Sequence, residues 1–372
     1  MFSKQILSGE ERTEVVVVGA GIAGISCAYH LEKAGFQVTV AEEQTVASGA
    51  TNYSSGVLYF GSGTGFASAI ELFGQEKAKQ LWDESKSAID DLASLSKEIP
   101  AAGLRDTGLT LVARNEQEQN DLQAEAAAMN SLGYAGKAVS SQELSTWFKP
   151  RQFLSGLYQR VCFQIKPPFF AKAIAESLQS NIYENSGMVE IVENEKENEV
   201  IVKTSGGSLR CQQVVVATNI KPFYGLEEHF FLEDSVDLPS EELPQEKLLE
   251  MWPKDTIFST PDERYDLFYR HDNKVFFEAY QMKGIEEKAR GYFAPETGVV
   301  FDKKRAYGDS WAKTKDWLPI VGKVPGKQRV NCAIAMGDQG IVMGWASGKN
   351  IARLLKGETN TFLEMCSPSR FA

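Results

Sequence analysis

The feature that most constrains this chain lies near its start. Glu14-Val15-Val16-Val17-Val18 is a run of β-branched residues, the pattern of a strand buried on both faces of a parallel sheet. Gly19-Ala20-Gly21-Ile22-Ala23-Gly24 follows without a spacer and opens a helical stretch to about Ala34, closed by Gly35 in the place of a left-handed cap. Phe36–Ala41 is a second strand, and it ends on Glu42-Glu43. The result is a βαβ unit with a GxGxxG turn, in which each glycine has a task. Gly19 permits the tight turn, Gly21 lets a pyrophosphate approach the main chain, and Gly24 lets helix and strand pack closely. The N–H groups exposed at the helix start offer partial positive charge to phosphates. Glu42 stands 18 positions after Gly24, where its carboxylate can accept hydrogen bonds from ribose hydroxyls and would repel a 2′-phosphate. That disfavours NADP. This context favours dinucleotide binding over a plain α/β sheet with a glycine-rich turn, and on these residues alone FAD and NAD both stay open.

Composition narrows the function class. The chain has 372 residues, 43% hydrophobic, and a formal charge of −11. It has the material for two lobes and a sizeable core. Its acidity argues against nucleic acid and anionic membrane surfaces. No apolar run approaches the ~20 residues of a membrane span. The start, MFSKQILSGEERTE, lacks the apolar segment of a secretory signal. Five scattered cysteines without a CxxC pair argue against structural zinc and a disulfide framework. A cytoplasmic protein without a metal site is expected.

Further along, a Gly/Ser/Thr-rich loop runs from Ala47 to Gly65, and helical periodicity resumes from about Phe66, with Leu81, Ala88, Leu92 and Leu95 on one face. Leu104–Ala113 reads as a strand, Glu116–Leu132 as a helix, and Pro167-Pro168 introduces another helix to Leu178. Met188–Val192, Glu199–Lys203 and Cys211–Val216 are strand-like. The charged stretch Glu227–Glu250 reads as a solvent-facing connection. Arg264–Arg270 and Lys274–Tyr280 alternate around a turn, as a hairpin does. Asn331–Met336 is a strand, and Gly337-Asp338-Gln339-Gly340 leads into a helix to about Lys356.

Several segments resemble the D-amino-acid-oxidase-like flavoprotein family, which includes glycine, sarcosine and γ-glutamylputrescine oxidases. SGATNYSSGVL is similar to that family's loop after the second strand. ENSGMVEIVENEKENEVIVKTSGGSLRCQQVVVATN is similar to its adenine-side strands, and DLFYRHDNKVFFEAY to its substrate-domain strands. KDWLPIVG with AMGDQGIVMGWASGKNIARLL resembles its closing signature. The resemblance implies an α/β fold: a Rossmann-type FAD-binding domain of the glutathione-reductase-like kind, with an inserted α+β substrate domain on an antiparallel sheet. The FAD domain would comprise 1–75, 151–222 and 315–372, and the substrate domain 76–150 and 223–314.

The resemblance also implies non-covalent FAD, held by the Gly19–Gly24 turn, Glu42-Glu43, Ser48-Gly49-Ala50-Thr51 and Tyr53-Ser54-Ser55-Gly56-Val57. Val189 would lie on the adenine side, Ala217-Thr218-Asn219 near the pyrophosphate, and Gly337-Asp338-Gln339-Gly340-Ile341-Val342 beside the flavin ring. Some relatives attach FAD through a His where this chain has Tyr53, which is why the attachment is expected to be non-covalent. Cys332, inside a strand, reads as a core residue. The family's chemistry is hydride removal from a carbon bearing an amine. Many relatives clamp a substrate carboxylate with two Arg. Here Trp311 and Asp338-Gln339 occupy those positions. Arg270 is a candidate to take over. Trp311, Tyr53, Tyr59 and Tyr280 suggest an aromatic-walled pocket suited to an alkylamine, a cation or a peptide-like group. The catalytic candidates are thus Arg270, Trp311, Tyr280 and Gln339. The expected partner is a small-molecule amine. The alternative is a flavoprotein that modifies a residue on a partner protein or matures another enzyme's cofactor.

Overall fold

The computed structural model describes residues 6–194, 196–219, 225–262, 264–293 and 295–371. The four-valine run becomes the strand Val15–Val18, every residue of it buried. It is flanked in parallel by Val38–Ala41 and Gln213–Val216. Among the described residues the strands of this layer run Asn181–Tyr183, Val38–Ala41, Val15–Val18, Gln213–Val216, Val330–Ile334 and Ile320–Lys323, with only the last pair antiparallel. A sheet so arranged is covered on both faces, which explains its apolar strands. One face packs the helix Ile22–Lys33 against the helix Gly340–Leu355. The other carries the sheet of Gly9–Arg12, Gly207–Cys211, Glu199–Thr204 and Met188–Asn194. Cys332 lies buried within Val330–Ile334 as a core residue.

The second large layer is a mixed sheet of eight strands: Tyr307–Thr314, Phe230–Pro239, Lys274–Ala279, Leu267–His271, Ile257–Ser259, Leu109–Ala113, Ser155–Gln159 and Gly136–Ser140. It is antiparallel except where Ile257–Ser259 meets Leu109–Ala113. The predicted hairpin is present, with His271 paired to Lys274.

Three readings are corrected here. The charged stretch Glu227–Glu250 is not a solvent-facing connection along its length. Phe230–Pro239 is a ten-residue strand between two others, and Glu233 and Asp237 on it are buried. Helical periodicity from Phe66 resolves into two helices, Phe66–Phe73 and Gln75–Glu98, because Gly74 takes a φ of +81° that ends the first. The strand from Leu104 is likewise split by Gly108, whose φ is +65°.

The domain boundaries also shift. Ser155–Gln159, assigned to the cofactor domain, hydrogen-bonds within the eight-stranded sheet. Residues 76–98, assigned to the substrate domain, belong to the helix Gln75–Glu98, which packs on Gly340–Leu355, where Lys349 and Arg353 reach Asp91 and Glu84. The boundary at 222–223 lies outside the described residues.

Candidate active site

The carboxyl ends of the parallel strands and one face of the eight-stranded sheet enclose a cavity of about 380 Å³. At one end it is lined by Gly19, Gly21, Ile22 and Ala23, where the first helix begins. That helix start has Gly21 as its cap, which has no side chain to offer, and the helix dipole faces the cavity. Gly19 has a φ of +102°, and a Cβ there would lie 2.6 Å from the Ala217 carbonyl oxygen. A Cβ on Gly24 would lie 1.9 Å from the Gly19 carbonyl oxygen. Gly21 differs: its Cβ would meet only the Thr51 Oγ1, at 3.4 Å. Two glycines therefore serve the packing of the chain, and the middle one leaves space for a ligand.

Side chains complete this end. Glu42 accepts from the Ala20 N–H at 2.7 Å and the Gln44 N–H at 2.8 Å. This fixes the carboxylate on the cavity wall. Thr51 Oγ1 accepts from the Ile22 N–H at 3.0 Å. Thr218 Oγ1 is buried on the same wall with no hydrogen-bond partner. At the far end, Gly337 to Ile341 line the cavity where the helix Gly340–Leu355 begins, without a side-chain cap. Gln339 there is 2% exposed and neither amide atom has a partner. Two helix starts and orphaned buried polar atoms facing one cavity fit a dinucleotide cofactor.

Strand parity builds the remaining wall. Opposite residues on paired strands share a face. Leu238, Phe277 and Phe268 therefore point into an aromatic core on one side of the sheet. The other side faces the cavity and carries Leu267 and Tyr269, Glu278 and Tyr280, Glu233, Ser235 and Asp237, and Tyr307 and Trp311. Tyr280 stacks edge-on with Tyr265 at 5.2 Å and with Trp311 at 6.0 Å. Tyr59, Tyr265, Trp311 and Glu278 line the cavity directly.

The electrostatics here are acidic. Asp237 and Glu278 stand directly opposite each other across two strands, both buried. Burial raises both carboxyl groups, Asp237 well above the usual range with the Glu278 charge adding to the effect, and Glu278 against the pull of a hydrogen bond with Ser55. Tyr269 donates to Asp237 at 3.2 Å, while Glu278 Oε2 has no partner. Asp338, also fully enclosed, is pushed up to about 7 by burial, against the pull of Lys313 at 3.8 Å. Lys313 itself sits 3.6 Å over the Trp317 ring. Among the described residues, no arginine lines the cavity.

A family model described as FAD dependent oxidoreductase (DAO) matches residues 14–354. This chain belongs to that family. FAD is the family's cofactor, as its description states. The probable oxidoreductase OrdL of Haemophilus influenzae is 28% identical over an alignment of 221 positions that covers 56% of this chain. The match spans 49% of OrdL, about half of that protein's length. The gamma-glutamylputrescine oxidoreductase of Escherichia coli is 20% identical, covering 94% of this chain and 85% of that one. The crystal structure of glycine oxidase from Geobacillus kaustophilus superposes with a TM-score of 0.78 at 18% identity, covering 96% of this chain and 98% of that one. That likeness establishes the shared fold.

Within this member of the family, most residues anticipated at the cofactor do line the cavity. Glu42, Glu43, the run Ser48–Thr51, Tyr53 to Ser55, Val57 and Ala217 to Asn219 all reach it, besides the two helix starts. The others have structural positions. Gly24 and Ala20 pack inside the turn, and Gly56 turns the chain at a φ of +71° against the Ile165 carbonyl. Val342 is buried in the helix, away from the cavity. Val189 is 70% exposed, and its neighbour Met188 takes the wall instead.

Of the catalytic candidates, Trp311 and Gln339 line the cavity, and Tyr280 is buried directly behind Trp311. Arg270 is not brought to the site. It follows Tyr269 on the strand and so points to the opposite face, where it lies 4.0 Å from Asp255. Arg105 shares that carboxylate. Sequence reasoning missed Tyr265, Ser235, Ser310 and Glu278. The signal for Glu278 was present: a lone acid at a cavity-parity position in the apolar strand KVFFEAY.

Proposed function

We propose that this chain oxidises the C–N bond of a small amine by hydride transfer to non-covalently bound FAD. The observation that carries this reading is one cavity running from the Gly19–Gly21 helix start to an aromatic, carboxylate-lined pocket in which no arginine stands among the described residues. Gly19, Gly21, Glu42, Thr51 and Thr218 would hold the ribose and diphosphate. The start of the helix Gly340–Leu355 would face the flavin ring, where its dipole favours developing negative charge. When bound, FAD supplies the hydride acceptor. The protein supplies orientation, exclusion of water and proton handling. Trp311, Tyr59 and Tyr265 wall the amine and exclude water. Asp338, with its affinity for a proton near neutral pH, accepts the proton of the arriving ammonium, leaving a neutral nitrogen lone pair. Tyr53, on the wall beside Thr51, offers no imidazole for a covalent link, and acid precipitation should release the yellow cofactor into the supernatant.

Anaerobic mixing of the FAD-loaded protein with a panel of alkylamines, N-methylated amino acids and free amino acids tests the function. Bleaching of the flavin band by at least one amine class is expected. Bleaching by dithionite alone would overturn the reading.

A further inference from the structure

The buried pair Asp237 and Glu278 has a property that holding an amine for oxidation does not require. Cross-strand neighbours in an antiparallel sheet bring their side chains within contact distance, and like charges placed so are destabilising. Here the two acids are also 1% and 8% exposed. On the cavity side Arg264 pairs with Glu233 and Lys313 with Asp338, while Arg270, on the opposite face, shares Asp255 with Arg105. Among the described residues no Lys or Arg pairs with either acid. The groups facing them from the packed elements are Tyr269, Tyr307, Tyr265, Tyr59 and Tyr280, with Asp338 farther along the wall. Such a pair resists ionising together and keeps at least one proton until a cation replaces it.

Two independent observations point to a ligand at this wall. Glu278 Oε2 and both amide atoms of Gln339 are buried without partners on the same cavity surface. Aromatic faces also surround the opening, and a cation is what such faces attract.

We infer that the substrate carries a second cationic centre besides the amine that is oxidised, and that Glu278, backed by Asp237, binds it. The preferred substrate class is therefore a diamine or a similar dication, and free amino acids are poor ligands because their carboxylate would meet this acidic wall. The inference rests on the C–N oxidation reading for turnover, but the recognition itself does not.

The test uses the FAD-loaded protein with 1,4-diaminobutane and butylamine at matched ionic strength, with two readouts. One is anaerobic flavin reduction. The other is saturable perturbation of the flavin absorption band, with proton release recorded in weak buffer. The diamine should half-saturate at about tenfold lower concentration than butylamine, the effect of one charge-assisted hydrogen bond. It should also release about one proton more per site. In Glu278→Gln the diamine-to-butylamine ratio should fall to near one, and Asp237→Asn should reduce it. The wild-type proton count stands even if a variant fails to fold. Equal saturation by the two amines, no extra proton, or a ratio unchanged in a folded Glu278→Gln would each overturn the inference. Potassium ions perturbing the band as well as the diamine would also overturn it. Tight diamine binding without flavin reduction would retain the dication site and remove the oxidase reading.

Discussion

At the scale of single residues, the glycines of the first turn divide into two kinds. Gly21 has ordinary φ and ψ values of −70° and −178°, and a Cβ there finds only light contact. Gly21→Ala should therefore leave the apoprotein as stable as wild type, or about 0.5 kcal/mol more so. The added methyl occupies space a diphosphate needs, so FAD affinity should fall at least about tenfold. Gly24→Ala drives a methyl into the Gly19 carbonyl and should cost about 2–4 kcal/mol in urea unfolding, with or without FAD. Asp338 supplies a pH test. Its folded pKa of about 7 exceeds the unfolded 3.8, so the stability it contributes is full below pH 3.8 and lost as pH rises to about 7. Asp338→Asn lacks this loss. Its stability relative to wild type should rise steadily from about pH 4 to 7 and then level off. Removing the partner of Lys313 adds an offset across that range without changing the slope.

At the scale of elements, strand parity decides which side chains take part in chemistry. Trp311 shares the cavity face with Glu233 directly opposite it, while Arg270 falls on the other face of its strand. Trp311→Ala should raise KM for the amine by about tenfold or more, and Trp311→Phe should restore most of it. Arg270→Ala should leave kcat/KM within about twofold of wild type, as steady-state kinetics would show. The hairpin around His271 was legible because local alternation and a polar turn are properties of adjacent residues. The acidity of Phe230–Pro239 suggested solvent, because nothing local shows that a strand has neighbours on both sides. Glu233 and Asp237 are buried by pairing with residues about forty to eighty positions away.

At the scale of the whole molecule, both large sheets wall one cavity, so a ligand there links them. FAD binds the folded chain and not the unfolded one. At a thousandfold excess over Kd it should add about 4 kcal/mol. The melting temperature should rise with FAD concentration, and should rise less with ADP, which reaches only the diphosphate end. A melting temperature that ignores FAD would contradict this arrangement. No described helix is long and apolar enough to cross a membrane.

The sequence by itself determined the βαβ unit, its glycine turn, Glu42 and the second helix start, because each is built from contiguous residues whose spacing carries the geometry. Only the tertiary structure decided which sheet face meets the cofactor cavity, why Arg270 stays outside it, and that Asp237 stands against Glu278. Those facts depend on register between strands distant in the chain, and register is set by packing rather than by any local pattern.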